Sequence, residues 1–141
     1  MVSYSFIKTP SKTQVQDIIK LYQAAKWWEG DSDHWETVEK IVSGSHCFLV
    51  ATQEASIIGM GRAISGRVSD AYIQDVTVLL PFRGKKIGSR IIKMIIERLN
   101  QDNIFWIGLI AEENARTFYE PLGFSVMPNA APMLRKTYHE F

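Results

Sequence analysis

One stretch decides the fold of this 141-residue chain, and it reads Val76-Thr77-Val78-Leu79-Leu80-Pro81-Phe82-Arg83-Gly84-Lys85-Lys86-Ile87-Gly88-Ser89. A β-branched strand ends at a proline, and the chain then turns through glycines into a helix. Such a turn leaves the first N–H groups of the helix unpaired, and the helix dipole adds to their attraction for anions. Gly84 and Gly88 let a phosphate approach the backbone, and three basic side chains lie in the same turn. The stretch therefore predicts a site for a diphosphate.

The remaining pattern predicts a mixed α/β fold around that turn. Helical and strand periodicities follow the order strand, two helices, three antiparallel strands, helix, strand, helix and closing strands. The strand at residues 70–79 and an apolar strand at residues 104–110, expected to be buried on both faces, should pair in parallel through a right-handed crossover. The closing strands are expected at residues 124–127 and 133–138. The length suits one domain over residues 1–141.

Composition and charge place the chain among ordinary globular proteins. Apolar residues make up 46% and charged residues 22%, so disorder is not expected. The formal net charge is +1, so no global attraction to nucleic acid or to a membrane surface is expected. No apolar run reaches the roughly 18 residues of a membrane span, and a soluble, cytoplasmic protein is the expectation. The single cysteine, Cys47, lies in an apolar strand and is expected to be buried and unreactive.

Two motifs resemble those of one enzyme family. Residues 83–88 read Arg-Gly-Lys-Lys-Ile-Gly, which resembles the acetyl-CoA signature of the GCN5-related N-acetyltransferases, Arg/Gln-x-x-Gly-x-Gly/Ala. Lys86 stands where the family usually has glycine. Residues 118–124 read Phe-Tyr-Glu-Pro-Leu-Gly-Phe, which is similar to the family's Phe/Leu-Tyr-x-x-Leu-Gly-Phe ending of the helix after strand five. The predicted order of strands and helices also matches the family from end to end.

The resemblance implies a single N-acetyltransferase domain over residues 1–141 with the acyl-CoA N-acyltransferase-like fold. That fold is an α/β fold with a mixed, mostly antiparallel, six- to seven-stranded sheet flanked by about four helices, in which strands four and five are parallel and splayed. The implied activity is transfer of an acetyl group from acetyl-CoA to a primary amine of a small molecule, by direct attack in a ternary complex. Two alternatives stay open: a peptide or protein N-acetyltransferase, and a non-catalytic acyl-CoA-binding regulatory module.

The resemblance also implies how acetyl-CoA is held as a co-substrate. Strand four is expected to bulge near residues 76–78, and a bulge leaves backbone N–H groups unpaired. The Val78 amide would then act as an oxyanion-type donor to the acetyl carbonyl, and the backbone at Val76 would pair with the pantetheine arm. Many family members have a CoA-contacting asparagine at the position of Glu112; Asn114 lies two residues later, and capping of the short helix is its alternative role. The predicted acetyl-CoA contacts are Val76, Thr77, Val78, Arg83, Gly84, Lys85, Lys86, Ile87, Gly88, Ser89, Asn114 and Phe118.

The catalytic candidates are Tyr119 and Asp75. A phenol with a reference pKa of about 10 keeps its proton at neutral pH and can pass it to the leaving thiolate, so Tyr119 is the predicted general acid. Its alternative role is a packed aromatic beside Phe118. In some family members a glutamate on strand five acts as the general base that takes the proton of the amine, but residues 107–110 have no carboxylate. Asp75 is the nearest acidic candidate for the base, and its alternative role is to hold a neighbouring backbone group or Arg62.

The resemblance also implies that the region between the first two helices lines the acceptor side. Trp28 and Glu29, with Asp31 and Asp33 nearby, suit a cationic amine through cation–π contact and charge. Core packing and helix capping are the alternative. The three histidines share no metal-ligand spacing, so no metal site is predicted. The expected partner is a small-molecule amine, with no nucleic acid and no membrane, and a homodimer is expected because the family often pairs through its C-terminal strands.

Overall fold

The computed structural model describes residues 1–29, 34–112 and 114–137. The strands of this part of the chain are β1 (Ser3–Phe6), β2 (Cys47–Gln53), β3 (Ser56–Ser65), β4 (Asp70–Val78) and β5 (Trp106–Gly108). Its helices are α1 (Lys12–Ala24), α2 (Trp35–Gly44), α3 (Ile87–Gln101) and the short α4 (Arg116–Tyr119), with single 3₁₀ turns at Leu80–Phe82 and Glu120–Leu122. The chain forms two compact units, Met1–Leu109 and Ile110–Phe141. A single domain over residues 1–141 stays a prediction.

The strands of the first unit form one sheet in the order β1-β2-β3-β4-β5. Neighbours from β1 to β4 pair antiparallel, whereas β4 and β5 pair in parallel. The parallel pairing covers only residues 70–72 of β4 and 106–108 of β5, so the two strands separate beyond Tyr72. The predicted mixed sheet with parallel, splayed fourth and fifth strands is confirmed. Its five strands within the described residues are fewer than the six to seven expected.

The closing strands account for that difference. Within residues 124–127 and 133–137 the structure has no strand, so this part of the prediction is wrong for the residues that can be described; residue 138 lies outside them. Pro128 and Pro132 interrupt the segment, and proline has no N–H to donate to a neighbouring strand. The large apolar side chains of this segment are exposed, namely Val126, Met127, Met133 and Leu134.

The strand predicted at residues 104–110 is shorter and less buried than expected. Only Trp106–Gly108 is in strand conformation, and Phe105 and Trp106 are 69% and 52% exposed. Ile104 is fully buried at the end of the α3–β5 connection. The prediction of burial on both faces is wrong, because an apolar run does not distinguish a central strand from one at the sheet edge, where β5 lies in this unit.

The core of the first unit lies on both faces of the sheet. On one face, α1 and α2 pack their apolar sides against β2 and β3, and Met60 lies in this cluster. Side chains alternate along a strand, so Gly59 and Gly61 point to the opposite face, where Ile91 and Ile95 of α3 approach. The buried residues of the first cluster are Val15, Ile18, Leu21, Tyr22, Val38, Val42, Phe48, Val50, Ile57 and Met60. No helix within the described residues is long and apolar enough to cross a bilayer.

Cys47 lies buried at the start of β2, as predicted. Burial raises the pKa of its thiol to about 11. A thiol with that pKa is protonated at neutral pH, and the thiolate is the reactive form, so Cys47 acts as a small apolar core residue.

Gly61→Ala should destabilise the fold by about 1–3 kcal/mol, the usual effect of overpacking. A Cβ at this position would lie 2.8 Å from Cγ2 of Ile91, which is fully buried and cannot move aside freely. Gly66→Ala is the matched control, because nothing lies within 4 Å of a Cβ there. Urea unfolding should show a lower midpoint for Gly61→Ala alone. Equal midpoints for the two variants would mean that α3 does not pack closely on β3.

Candidate active site

β4 contains a bulge near its centre. The pairing of β3 with β4 shifts register between Met60 and Arg62, and Gly61 alone faces two residues of β4, Asp75 and Val76. Asp75 has a φ of +56°, in the left-handed region that few residues other than glycine adopt. The strand therefore bulges as expected, and the bulge begins one residue earlier than the predicted range 76–78.

Beyond the bulge, the backbone of Val78 faces the edge of β4 that points away from β3. The Leu79 N–H donates to the Ile58 carbonyl over 2.8 Å, so Leu79 directs its polar groups to β3. Alternate residues of an antiparallel strand direct their polar groups to opposite edges, so Val78 directs its N–H and C=O to the other edge. There β5 pairs with β4 only as far as Tyr72. Within the first unit, the edge at Val78 therefore has no strand partner.

Arg83 connects the turn before α3 to the end of β4. Its Nε donates to the Val78 carbonyl over 2.8 Å. Because that carbonyl accepts from Arg83, the group that Val78 still presents at the open edge is its N–H donor. The two terminal nitrogens of Arg83 take no part in this bond, and the side chain keeps its positive charge beside the turn.

The turn opens α3 through two residues in the left-handed region, Gly84 with a φ of +79° and Lys86 with a φ of +64°. Lys86 is the N-cap of α3, and no side chain caps the helix or places an acidic group in its first turn. The first helical bond runs from Arg90 N–H to the Lys86 carbonyl, over 3.1 Å. The preceding N–H groups have no acceptor within the helix, and they belong to Ile87, Gly88 and Ser89. With Lys85 and Lys86 exposed beside them, the turn has the groups expected of an anion site.

Lys86→Gly should give a protein about 1 kcal/mol more stable than Lys86→Ala, because only glycine adopts a positive φ without steric cost. Both substitutions remove the same charge, so the pair isolates the backbone conformation from electrostatics. The free energies of unfolding in urea test this directly. Equal values for the two variants would contradict a left-handed conformation at position 86.

Asp75 joins three elements through its carboxylate. Its Oδ2 accepts from the Tyr22 hydroxyl of α1 and from Nε of Arg62 of β3, both over 2.7 Å. Arg62 also donates to Gln74 Oε1 over 3.1 Å. Burial, and then the charge and hydrogen bond of Asp75, raise the pKa of Tyr22 well above its usual range, so its hydroxyl remains a donor. The alternative role of Asp75, holding Arg62, is therefore present in the structure.

Tyr22 is the site residue that the sequence did not reveal. Its helical spacing predicts a core position, and its ring is indeed buried. Its partner Asp75 lies 53 residues further along the chain. No local pattern predicts a hydrogen bond over such a separation.

The predicted acceptor side is built around Trp28. Its ring stacks on Tyr22 with centroids 4.0 Å apart and lies 4.3 Å from the His34 ring. Trp28 is half-buried against the α1–α2 core cluster, so core packing accounts for part of its surface, while Glu29 is exposed. The predicted carboxylates Asp31 and Asp33 lie outside the described residues.

The second unit holds Tyr119 at the end of α4. Its half-buried ring packs edge-to-face on Phe118 and Phe124, with centroids 4.9 and 5.8 Å apart. Burial, followed by the charge of Glu112, raises the pKa of Tyr119 above its usual value. The phenol therefore keeps its proton throughout the neutral range, as a general acid must.

Asn114 and Phe118 lie in the same unit. Asn114 has a φ of +73° and precedes Ala115, which is the N-cap of α4. No side-chain hydrogen bond caps this helix, so the interpretation of Asn114 as a cap is wrong. Phe118 is partly exposed. Their predicted contacts with CoA stay predictions.

One further cluster of titratable groups joins β2 to the end of α3. Asp102 accepts from Nε2 of His46 over 2.7 Å and from Nε of Arg98 over 3.1 Å. The His46 hydrogen bond and then Arg98 lower the pKa of Asp102.

Among residues 1–29, 34–112 and 114–137, no group of three or more His, Cys, Asp or Glu side chains could hold a metal ion.

The comparison with protein families identifies the class. A model of the acetyltransferase (GNAT) domain matches residues 8–133. The chain therefore belongs to the GNAT acetyltransferase family. Among curated proteins, the chloroplastic GCN5-related N-acetyltransferase 2 of Arabidopsis thaliana is 36% identical over 76 residues, which make up 54% of this chain and 30% of that protein. The chain spans less than half the length of the curated relatives that it matches, for example 30% and 48% of two of them.

Solved structures share the fold at low sequence identity. A GNAT family acetyltransferase from Streptococcus pneumoniae superposes with a TM-score of 0.78 at 23% identity, over 99% of this chain and 100% of that one. A predicted acetyltransferase with acetyl-CoA from Clostridium acetobutylicum superposes with a TM-score of 0.69 at 17% identity, over 95% and 96% of the two chains. At identities of 23% and 17%, these superpositions show a shared fold alone.

Proposed function

We propose that the chain is an acetyl-CoA-dependent N-acetyltransferase that acetylates the primary amine of a small molecule by direct attack in a ternary complex. The observation that supports this most is the edge of β4 at Val78, which has no strand partner within the first unit. The N-terminus of α3, which no side chain caps, begins a few residues later in the chain. The first offers a donor to a carbonyl, and the second offers several donors to a diphosphate. Acetyl-CoA carries both groups.

The diphosphate fits the turn and the first turn of α3. The N–H groups of Ile87, Gly88 and Ser89 have no helical acceptor, and no acidic side chain in that turn would repel an anion. Gly84 leaves its surroundings open, since nothing lies within 4 Å of a Cβ built there. Arg83, Lys85 and Lys86 add charge. The solved acetyltransferase with acetyl-CoA from Clostridium acetobutylicum supports this choice of donor.

The thioester end belongs at the bulge of β4. There the backbone at Val76 would pair with the pantetheine arm like an added strand. The N–H of Val78 would stabilise the negative charge that develops on the acetyl oxygen. The carbonyl of Val78 accepts from Arg83, so the N–H is the group left to face the ligand. Acetyl-CoA itself supplies the activated acyl group and a thiolate leaving group.

Tyr119 would protonate the leaving thiolate. Its raised pKa keeps the proton available at neutral pH, and Phe118 and Asn114 of the same unit would contact the CoA chain. The amine would approach past Trp28 and Glu29, where an aromatic ring and a carboxylate favour a cation. The attacking amine must lose a proton, and water at the exposed acceptor side can take it.

Thiol release tests the proposal. The chain is incubated with acetyl-CoA and a panel of amines: polyamines, aminosugars, amino acids, and short peptides with a free N-terminus or a lysine. The proposal predicts thiol release, with an acetylated product detected by mass spectrometry, for at least one small amine. Turnover only with peptides would support the peptide or protein acetyltransferase instead. Tight acetyl-CoA binding without turnover on any acceptor would support the regulatory module. The homodimer and the cytoplasmic location stay predictions.

A further inference from the structure

The strained residue of the bulge lies at the centre of a hydrogen-bond network. Asp75 has a left-handed φ of +56°, a conformation that is sterically unfavourable for residues other than glycine, although less so for aspartate. Its side chain is 23% exposed, and that of its partner Arg62 is 16% exposed. A strained conformation persists where surrounding contacts over-determine it. Here the Tyr22 hydroxyl and the Arg62 guanidinium both hold the same oxygen, Oδ2.

Arg62 anchors the network on β3. It lies at the register shift, directly after the glycine that faces the bulge. Besides Asp75, it donates to Gln74 Oε1 over 3.1 Å and to Ser45 Oγ over 3.4 Å. Its guanidinium therefore spans the residue before the bulge and the first residue of the bulge. That arrangement fixes the path of β4 just before Val76.

Tyr22 links the network to the predicted acceptor side. Its hydroxyl donates to Asp75, while its ring stacks on Trp28 with an interplanar angle of 8°. Its carbonyl also accepts from the N–H of Trp27 over 3.1 Å. The Tyr22 side chain thus contacts both Asp75 of the bulge and the Trp28 ring, which would face the amine.

The geometry points to a positioning role for Asp75. Oδ2 accepts one hydrogen bond from the Tyr22 hydroxyl and one from the Arg62 cation, so both of its acceptor positions are occupied by groups that hold the fold around the bulge. We propose that Tyr22, Asp75 and Arg62 form a positioning network. This network holds the β4 bulge, and with it the Val78 N–H, in a fixed position relative to Trp28 on the predicted acceptor side. Asp75 then orients the reacting groups and is not the proton acceptor. This inference rests on the proposed acetyltransferase function.

Tyr22→Phe tests the network without disturbing the stack, because phenylalanine keeps the ring and removes only the hydroxyl. The loss of one hydrogen bond to a charged group should lower kcat by about 10-fold or more, with KM for the amine and Kd for acetyl-CoA within about twofold. Hydrogen exchange of the amides at residues 74–78 should speed up by a similar factor. Tyr4→Phe, on β1, is the matched control and should change none of these values. An unchanged kcat or unchanged exchange in Tyr22→Phe would overturn the proposal.

Asp75→Asn separates positioning from proton transfer. Asparagine tolerates the left-handed region, so the bulge can form, but the charge that holds Arg62 is lost. A positioning residue predicts a lower kcat with the acidic limb of the pH profile of kcat/KM retained. Loss of that limb would make Asp75 the base and overturn the inference. If the wild-type chain acetylates no amine, the proposed function fails, and the exchange rates at residues 74–78 alone decide whether the network holds the bulge.

Discussion

Tyr119→Phe should lower kcat by about 10²- to 10⁴-fold while the Kd for acetyl-CoA stays within about twofold. Phenylalanine preserves the edge-to-face contacts with Phe118 and Phe124, so the loss isolates the hydroxyl. Without that proton donor, the thiolate must leave unprotonated or find a proton from water. Steady-state kinetics for turnover and calorimetry for acetyl-CoA binding measure the two quantities separately.

The pH dependence sharpens this prediction. Burial and Glu112 raise the pKa of Tyr119 above its usual value, so the wild-type phenol keeps its proton through neutral pH. Ionisation of Tyr119 should therefore leave turnover unaffected between about pH 6 and 9. Tyr4→Phe again serves as a control for removing a tyrosine hydroxyl elsewhere. Unchanged turnover in Tyr119→Phe would show that the residue only packs.

Ser89→Asp should raise the Kd for acetyl-CoA by about 100-fold and at the same time stabilise the fold slightly. Ser89 lies in the first turn of α3, which has no acidic side chain. A carboxylate there interacts favourably with the helix dipole, by about 0.3–1 kcal/mol. The same charge repels a diphosphate at short range, because two like charges near a protein surface repel each other by a few kcal/mol.

Ser89→Asn is the neutral control, since it has nearly the same shape as aspartate. It should bind acetyl-CoA within about fivefold of the wild type. Raised salt should narrow the difference between the two variants, because ions screen the repulsion. Calorimetric titration and urea unfolding measure the two opposite effects. An aspartate variant that binds as tightly as the asparagine variant would place the diphosphate away from α3.

The strand–turn–helix unit could be predicted because its signals are local. Proline and glycines mark the turn, and the isoleucines of α3 repeat at helical spacing along one buried side. The parallel pairing of β4 with β5 follows from the crossover through that helix. The family motifs then added roles for Tyr119 and Val78, which spacing alone does not assign and which stay predictions.

The parts that were missed depend on distant residues. The position of the bulge depends on how β3 and β4 align, which brings Gly61 opposite Asp75 and Val76. The bond from Tyr22 to Asp75 joins α1 to β4, and neither residue signals it locally. The closing strands were predicted on either side of Pro128 and Pro132, but the missing N–H groups of these prolines disfavour a ladder there.

A crystal structure with bound CoA or acetyl-CoA would show directly whether the chain holds the co-substrate as proposed. We expect density for the diphosphate at the first turn of α3, against the N–H groups of Ile87, Gly88 and Ser89. We expect the thioester end beside the bulge, with the acetyl oxygen within hydrogen-bond distance of the Val78 N–H. A diphosphate bound elsewhere on the chain, or an acetyl group remote from Val78, would contradict the proposal.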